Sequence, residues 1–145
     1  METARRFEAV IGGVWHGVSF FSDMPEFPPG VVRANGVRFC EAVVVARGHK
    51  VLIDPRELTC PGASYAFGSR EDQKEEMVRK LREKGYPQDY VEKMVQSVPR
   101  LKATPAAIGL NIRNPPDLIM AALLPDQAMR LAQLYEKKRK RALSA

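Results

Sequence analysis

The sequence predicts an α+β fold, a small mixed β-sheet packed against several α-helices. Three observations predict it. Val14, His16, Val18 and Phe20 share one face if residues 14–21 form a strand. Val91, Met94, Val95 and Val98 recur at i, i+3, i+4 and i+7, the stripe of a helix with one buried side. Strand-like and helix-like segments are interleaved along a chain of 145 residues, a length that suits one domain. Residues 1–136 read as that domain and 137–145 as a basic C-terminal tail.

Taken in order, Arg5 and Arg6 precede an apolar stretch that Glu8 and His16 interrupt. With no small-residue cleavage site after it, this segment reads as part of the fold and not as a signal peptide. Residues 22–36 hold Pro25, Pro28, Pro29, Gly30 and Gly36, the composition of a loop. Phe39 to Ala46 is ambiguous. Val43, Val44 and Val45 favour a strand, whereas Ala42, Ala46 and a stop at Gly48 fit a short helix. Val51 to Ile53 reads as a short strand ending at Asp54-Pro55. Ser69 is the expected cap of a helix whose first turn carries Glu71 and Asp72 and whose end is marked by Gly85. The helix with the valine stripe stops at Pro99. Residues 106–112 and 118–123 are expected to be two buried strands, joined by Asn114-Pro115-Pro116-Asp117. Pro125 suits the first position of a last helix with Asp126 near its N-terminus and Ala128, Leu131, Ala132 and Tyr135 inward.

The net charge of +6 is unevenly placed. Lys137 to Arg141 supply five positive charges, and the other basic residues nearly cancel the 17 acidic ones. Nucleic-acid binders usually spread Lys and Arg over a face or groove. This distribution points away from nucleic acid; the tail reads first as a solvated one, with contact to an acidic protein partner or to nucleic acid as the alternative. The longest apolar run, Leu118 to Leu124, is far short of the roughly 20 residues that span a bilayer, so no membrane is expected.

Chemistry centres on Cys40 and Cys60. Cys40 follows Arg38-Phe39 where the ambiguous helix would begin. Cys60 precedes Pro61-Gly62, the position of a helix N-cap. At helix N-termini the dipole and free N–H groups favour thiolate, the form that binds metal or attacks an electrophile. Arg38 adds to that field, and Gly62 leaves the backbone open to a ligand. Cys60 is expected to be the more exposed and reactive sulfur, and Cys40 the closer to the core. A cytoplasmic setting keeps such thiols reduced. Plain packing is the competing role for both, since free cysteine is often buried. Zinc takes three or four ligands, and only His16 and His49, with Glu41, Asp54 and Glu57, are candidates to add. His16 reads as a core or edge histidine and His49 as an exposed one. Glu71, Asp72, Glu75 and Glu76 read as a solvated helix surface. Tyr65, Phe67 and Trp15 are candidate pocket walls, with core packing as their alternative. Phosphate loops, nucleophile elbows and HExxH are absent.

Two stretches, Arg38-Phe39-Cys40-Glu41-Ala42 and Leu58-Thr59-Cys60-Pro61-Gly62-Ala63-Ser64-Tyr65-Ala66-Phe67-Gly68, resemble a known family in order and spacing. So do Pro116-Asp117-Leu118-Ile119-Met120 and Gln127-Ala128-Met129-Arg130-Leu131. Together, from about residue 14 to 136, they resemble the prokaryotic family called domain of unknown function 169. The resemblance implies a mixed α/β fold and Cys40 and Cys60 as family features, and no established reaction. Family members are usually longer by a C-terminal segment, so a site completed by that segment is expected either to be incomplete here or to be completed by another subunit.

Three readings follow. Cys40 and Cys60, with Arg38, Pro61 and Gly62 around them, hold zinc, another soft metal, an iron–sulfur cluster or a thiol-reactive ligand, with a homodimer pooling its cysteines. Alternatively, Cys60 is the nucleophile of a thiol-dependent enzyme. Alternatively, the chain is a non-catalytic interaction module whose basic tail meets an acidic partner.

Overall fold

Gly12 and Gly13 both have positive φ (82° and 83°), and they separate helix α1, Glu2–Ile11, from strand β1, Val14–Phe21. At Gly13 the turn also needs the missing side chain, because a Cβ there would sit 2.8 Å from the Ala122 carbonyl oxygen. The structure, a computed structural model, describes residues 2–26, 29–69 and 73–144. Pro28, Glu71 and Asp72 therefore lie outside the described residues.

The loop after β1 contains a strand absent from the sequence reading, β2, Val31–Arg33. It pairs in parallel with β3, Lys50–Ile53, and the crossover between them is helix α2, Phe39–Val45. The helical alternative for residues 39–46 is the correct one. Ala42 and Ala46 are small enough to pack flat on the sheet and are buried, whereas Val44 and Val45 face outward. A 3-10 turn, Pro55–Glu57, leads to α3, Pro61–Ala66. Helices α4, Gln73–Glu83, and α5, Gln88–Ser97, follow as a hairpin. Val91 and Val95 of the predicted stripe are buried. The N-terminus of α4, where Ser69 was the expected cap, lies outside the described residues. Among the described residues, the Ser69 amide and hydroxyl both donate to the Ser64 carbonyl (2.9 and 3.0 Å), closing the end of α3.

Strands β4, Ala107–Leu110, and β5, Leu118–Ala122, are consecutive in the chain but flank β1 on opposite sides. The sheet order is β2-β3-β4-β1-β5, all antiparallel except β2–β3. Of β4 and β5, only β4 is buried. β5 is an edge, with Leu118 and Ile119 exposed, which corrects the expectation for residues 118–123. An apolar run alone does not tell a central strand from an edge.

The main core lies on the β1 face that carries Val18, between Ile108, Leu110, Val51 and Ile53 of the sheet and Ala42, Ala46 and Leu58. Trp15 has the opposite parity on β1 and anchors a second cluster with Ala4, Ile11 and half-buried Leu131. Leu131 belongs to the last helix, α6, Pro125–Ser144. That helix continues through Lys137–Arg141, and its expected inner face is mostly uncovered: Ala128, Ala132 and Tyr135 are exposed. Among the described residues no helix is long and apolar enough to cross a membrane.

Candidate functional site

The two cysteines occupy the helix positions that their neighbours predict. Pro61 starts α3, so Cys60 is its N-cap with extended backbone (φ −89°, ψ 127°). Cys40 is the second residue of α2, whose N-cap is Arg38. The first amide of that helix, Phe39 N–H, donates to Cys60 Sγ at 3.3 Å. The Arg38 amide in turn donates to the Glu41 carboxylate at 2.9 Å, so Glu41 is occupied as a cap. Both thiols are free.

Their exposures are the reverse of the expected order. Cys40 is exposed and Cys60 half-buried. Ala42 and Ala46 turn one face of α2 to the sheet, which leaves Cys40 outward; Cys60 is drawn in by the Phe39 amide. A Cβ on Gly62 would lie in ordinary contact with Met77 Sδ, at 3.7 Å. His49 is exposed, with its Nδ1 3.3 Å from the Val45 carbonyl. Asp54 caps the 3-10 turn by accepting from the Arg56 amide at 3.0 Å. Among the described residues no group of three or more His, Cys, Asp or Glu side chains is placed to hold a metal ion. Phe67 is core, edge-on to Phe39, and Tyr65 lies under the Arg100 guanidinium.

A different constellation is built around His16, which is only 3% exposed. β4 ends at Leu110, and the next residue, Asn111, turns into the left-handed region (φ 60°). There its amide and its side chain extend the ladder to β1. Asn111 N–H donates to the Gly17 carbonyl, and Asn111 Oδ1 accepts from Gly17 N–H, both at 2.9 Å. Asn111 Nδ2 has two protons. One goes to the carbonyl of Ala46, the C-cap of α2, at 3.1 Å, and the other to His16 Nδ1 at 3.0 Å.

The partners fix the chemistry. Gly17 N–H can only donate and the Ala46 carbonyl can only accept, so the orientation of the Asn111 amide is unambiguous. His16 Nδ1 must then accept, and the neutral ring carries its proton on Nε2. Nε2 is buried and has no hydrogen-bond partner among the described residues. Burial, and then the positive charge of Arg47, holds the His16 pKa below its ordinary 6.5, partly opposed by Glu8. A second proton on Nδ1 would also face the Nδ2–H donor. The ring is thus held neutral, as a hydrogen-bond donor at Nε2.

His16 lines a cavity of about 520 Å³ where α1 meets the turn between α2 and β3. Trp15 and Asn111 line it as well. Arg5, Arg47 and Lys50 bring three positive charges to the wall and Glu8 one negative. Trp15 is fixed there by its indole N–H, which donates to the Gly12 carbonyl at 2.7 Å, and by stacking on Phe7. This arrangement gathers positive charge around a cavity whose lining includes a buried histidine with an unpartnered ring N–H. Trp15 was a candidate pocket wall in the sequence. His16 read as a core or edge histidine, and it is buried, whereas Asn111 was not singled out. A polar residue closing an apolar strand run was the only hint.

The family model described as an uncharacterised ArCR, domain of unknown function 169, matches residues 17–145. Among curated proteins and among solved structures nothing matches the chain.

Proposed function

The chain belongs to domain of unknown function 169, and we propose that its role is to bind a small oxyanion, a carboxylate- or phosphate-bearing molecule, in the His16 cavity. One observation carries this reading: a histidine that is almost wholly buried lines the cavity with its Nε2 unpartnered. An unsatisfied buried donor costs roughly 1–3 kcal/mol. An acceptor oxygen bound there recovers that cost, while Arg5, Arg47 and Lys50 supply the long-range attraction. The Asn111 bond makes the donor directional by fixing the tautomer. A neutral donor beside several cations also suits a ligand that brings its own negative charge. The test is titration of the protein with inorganic phosphate and with succinate, followed by calorimetry. Binding that His16→Gln and Arg47→Gln both weaken supports the reading. Binding of both anions undiminished in both variants contradicts it.

A second reading rests on the bond from Phe39 N–H to Cys60 Sγ. That amide points at the Cys60 sulfur, which also stands at the N-cap of α3. In this reading Cys40 and Cys60, flanked by Arg38, Pro61 and Gly62, take zinc, an iron–sulfur cluster or a thiol-reactive ligand, and two copies of the chain complete the ligand set. The thiol-enzyme version uses Cys60 as nucleophile. Purification without oxygen, cluster reconstitution and metal analysis test it. Metal retained by the native protein and lost in Cys60→Ser supports it, and colourless, metal-free protein after reconstitution contradicts it.

A further inference from the structure

Helix α6 has 20 residues, about 30 Å at 1.5 Å per residue, and very little of it is packed. It is held to the domain by Leu131 against the Ala4–Ile11–Trp15 cluster and, at its start, by the Gln127 side chain lying against Gly12 and Gly13. Beside that anchor, α1 and α6 enclose a groove of about 630 Å³. Its walls are Phe7, Val10 and Ile11 of α1 and Leu131, Leu134 and Tyr135 of α6. Val10 is 70% and Tyr135 65% exposed, high values for side chains of this kind on one strip. A smaller groove of about 380 Å³ shares Val10, Ile11 and Leu134, so the apolar strip continues along α6. The rim is basic. Arg6 and Lys138 border the larger groove, and Arg130 and Lys137 the smaller.

We infer that this α1–α6 groove docks an acidic amphipathic helix of a partner protein. Two helices with an apolar furrow between them accept a third helix by its i, i+3, i+4, i+7 face. The charge of the rim selects which helix. Helix α6 carries six basic and two acidic side chains. Both acids lie beside bases of the same helix, Asp126 at 3.6 Å from Arg130 and Glu136 at 3.0 Å from Arg139. A second copy of this chain laid on the groove would bring one predominantly basic α6 against another, with six basic and two acidic side chains on each. An acidic helix meets the rim with complementary charge and covers the furrow with its apolar face. Nucleic acid would satisfy the charge and leave the apolar walls wet.

The experiment uses the full chain and two fluorescent helical peptides. Both carry leucines at i, i+3, i+4 and i+7; one has glutamates at its remaining positions and the other lysines. Fluorescence anisotropy is expected to show binding of the glutamate peptide and none of the lysine peptide. Val10→Glu and Tyr135→Glu should each weaken it by about tenfold, with melting temperatures unchanged because both side chains are exposed. No binding of the glutamate peptide overturns the inference, and so does equal binding of both peptides. Displacement of the bound peptide by single-stranded RNA would make the surface a nucleic-acid site. Self-association lost in Val10→Glu would make the occupant a second copy. Either result overturns the partner assigned here.

Discussion

Asn111 Nδ2 donates to His16 Nδ1 at 3.0 Å while the same amide bonds Gly17 and Ala46. One side chain thus joins the end of β4, the middle of β1 and the C-terminus of α2, and decides which nitrogen of a buried histidine carries the proton. Replacing it costs both structure and chemistry. Asn111→Gly keeps the positive φ and loses the side-chain bonds, so it should destabilise by about 2–4 kcal/mol. Asn111→Ala adds a left-handed alanine and should cost about 1–2 kcal/mol more. Urea denaturation of both variants measures the two contributions separately. Equal stability of the two would contradict the role assigned to φ.

The His16 ring sets a pH dependence whose sign is fixed. Its folded-state pKa lies below the ordinary 6.5, with burial the largest cause and Arg47 the second. The unfolded chain therefore takes up a proton that the folded chain refuses. Stability is full above the unfolded pKa, declines as pH falls below it and levels off beneath the folded pKa. His16→Gln should flatten this part of the curve. Denaturation midpoints at a series of pH values for both proteins check it, and an unchanged slope in the variant would assign the dependence elsewhere.

Gly13 and Gly36 separate strain from crowding. Both have positive φ, 83° and 69°. A Cβ on Gly13 would meet Leu123 Cδ2 at 2.5 Å and the Ala122 carbonyl at 2.8 Å, whereas one on Gly36 meets nothing within 4 Å. Gly36→Ala should cost about 1 kcal/mol from φ alone. Gly13→Ala should cost clearly more, because a backbone carbonyl cannot step aside as a side-chain end can. Thermal melts of the pair give the comparison.

The cysteines should behave according to their observed exposure. Exposed Cys40 is expected to react faster with iodoacetamide than half-buried Cys60. Cys40→Ser should change stability by less than about 0.5 kcal/mol. Cys60→Ser places a favourable N-cap residue at the start of α3 and should leave the melting temperature unchanged or raise it. Mass spectrometry after timed alkylation, with melts of both variants, tests this order; faster labelling of Cys60 would reverse it.

Much of the fold was legible in local pattern. Alternation marked β1, the valine stripe marked α5, and Cys60-Pro61 marked the start of α3, because each signal depends on neighbours in the chain. Features set by distant segments were not. Whether Phe39–Val45 is helix or strand depends on Ala42 and Ala46 meeting a sheet made elsewhere. β5 is an edge because β1, and not β5, lies next to β4. The exposure of Cys40 follows from which side of α2 faces that sheet. His16 was visible as a histidine among apolar residues, but its partner lies 95 positions away in the chain. No spacing rule connects a strand histidine to the residue that ends another strand.

The central claim is that Asn111 holds His16 as a neutral Nε2–H donor for a bound oxyanion. Long-range proton–nitrogen NMR of ¹⁵N-histidine-labelled protein at neutral pH reads it directly, before and after inorganic phosphate and succinate are added. The account predicts an Nε2-protonated neutral ring, with the Nε2 signal moving as one of these anions binds while Nδ1 remains an acceptor. A ring protonated on Nδ1, or an Nε2 signal unmoved by both anions, would contradict it.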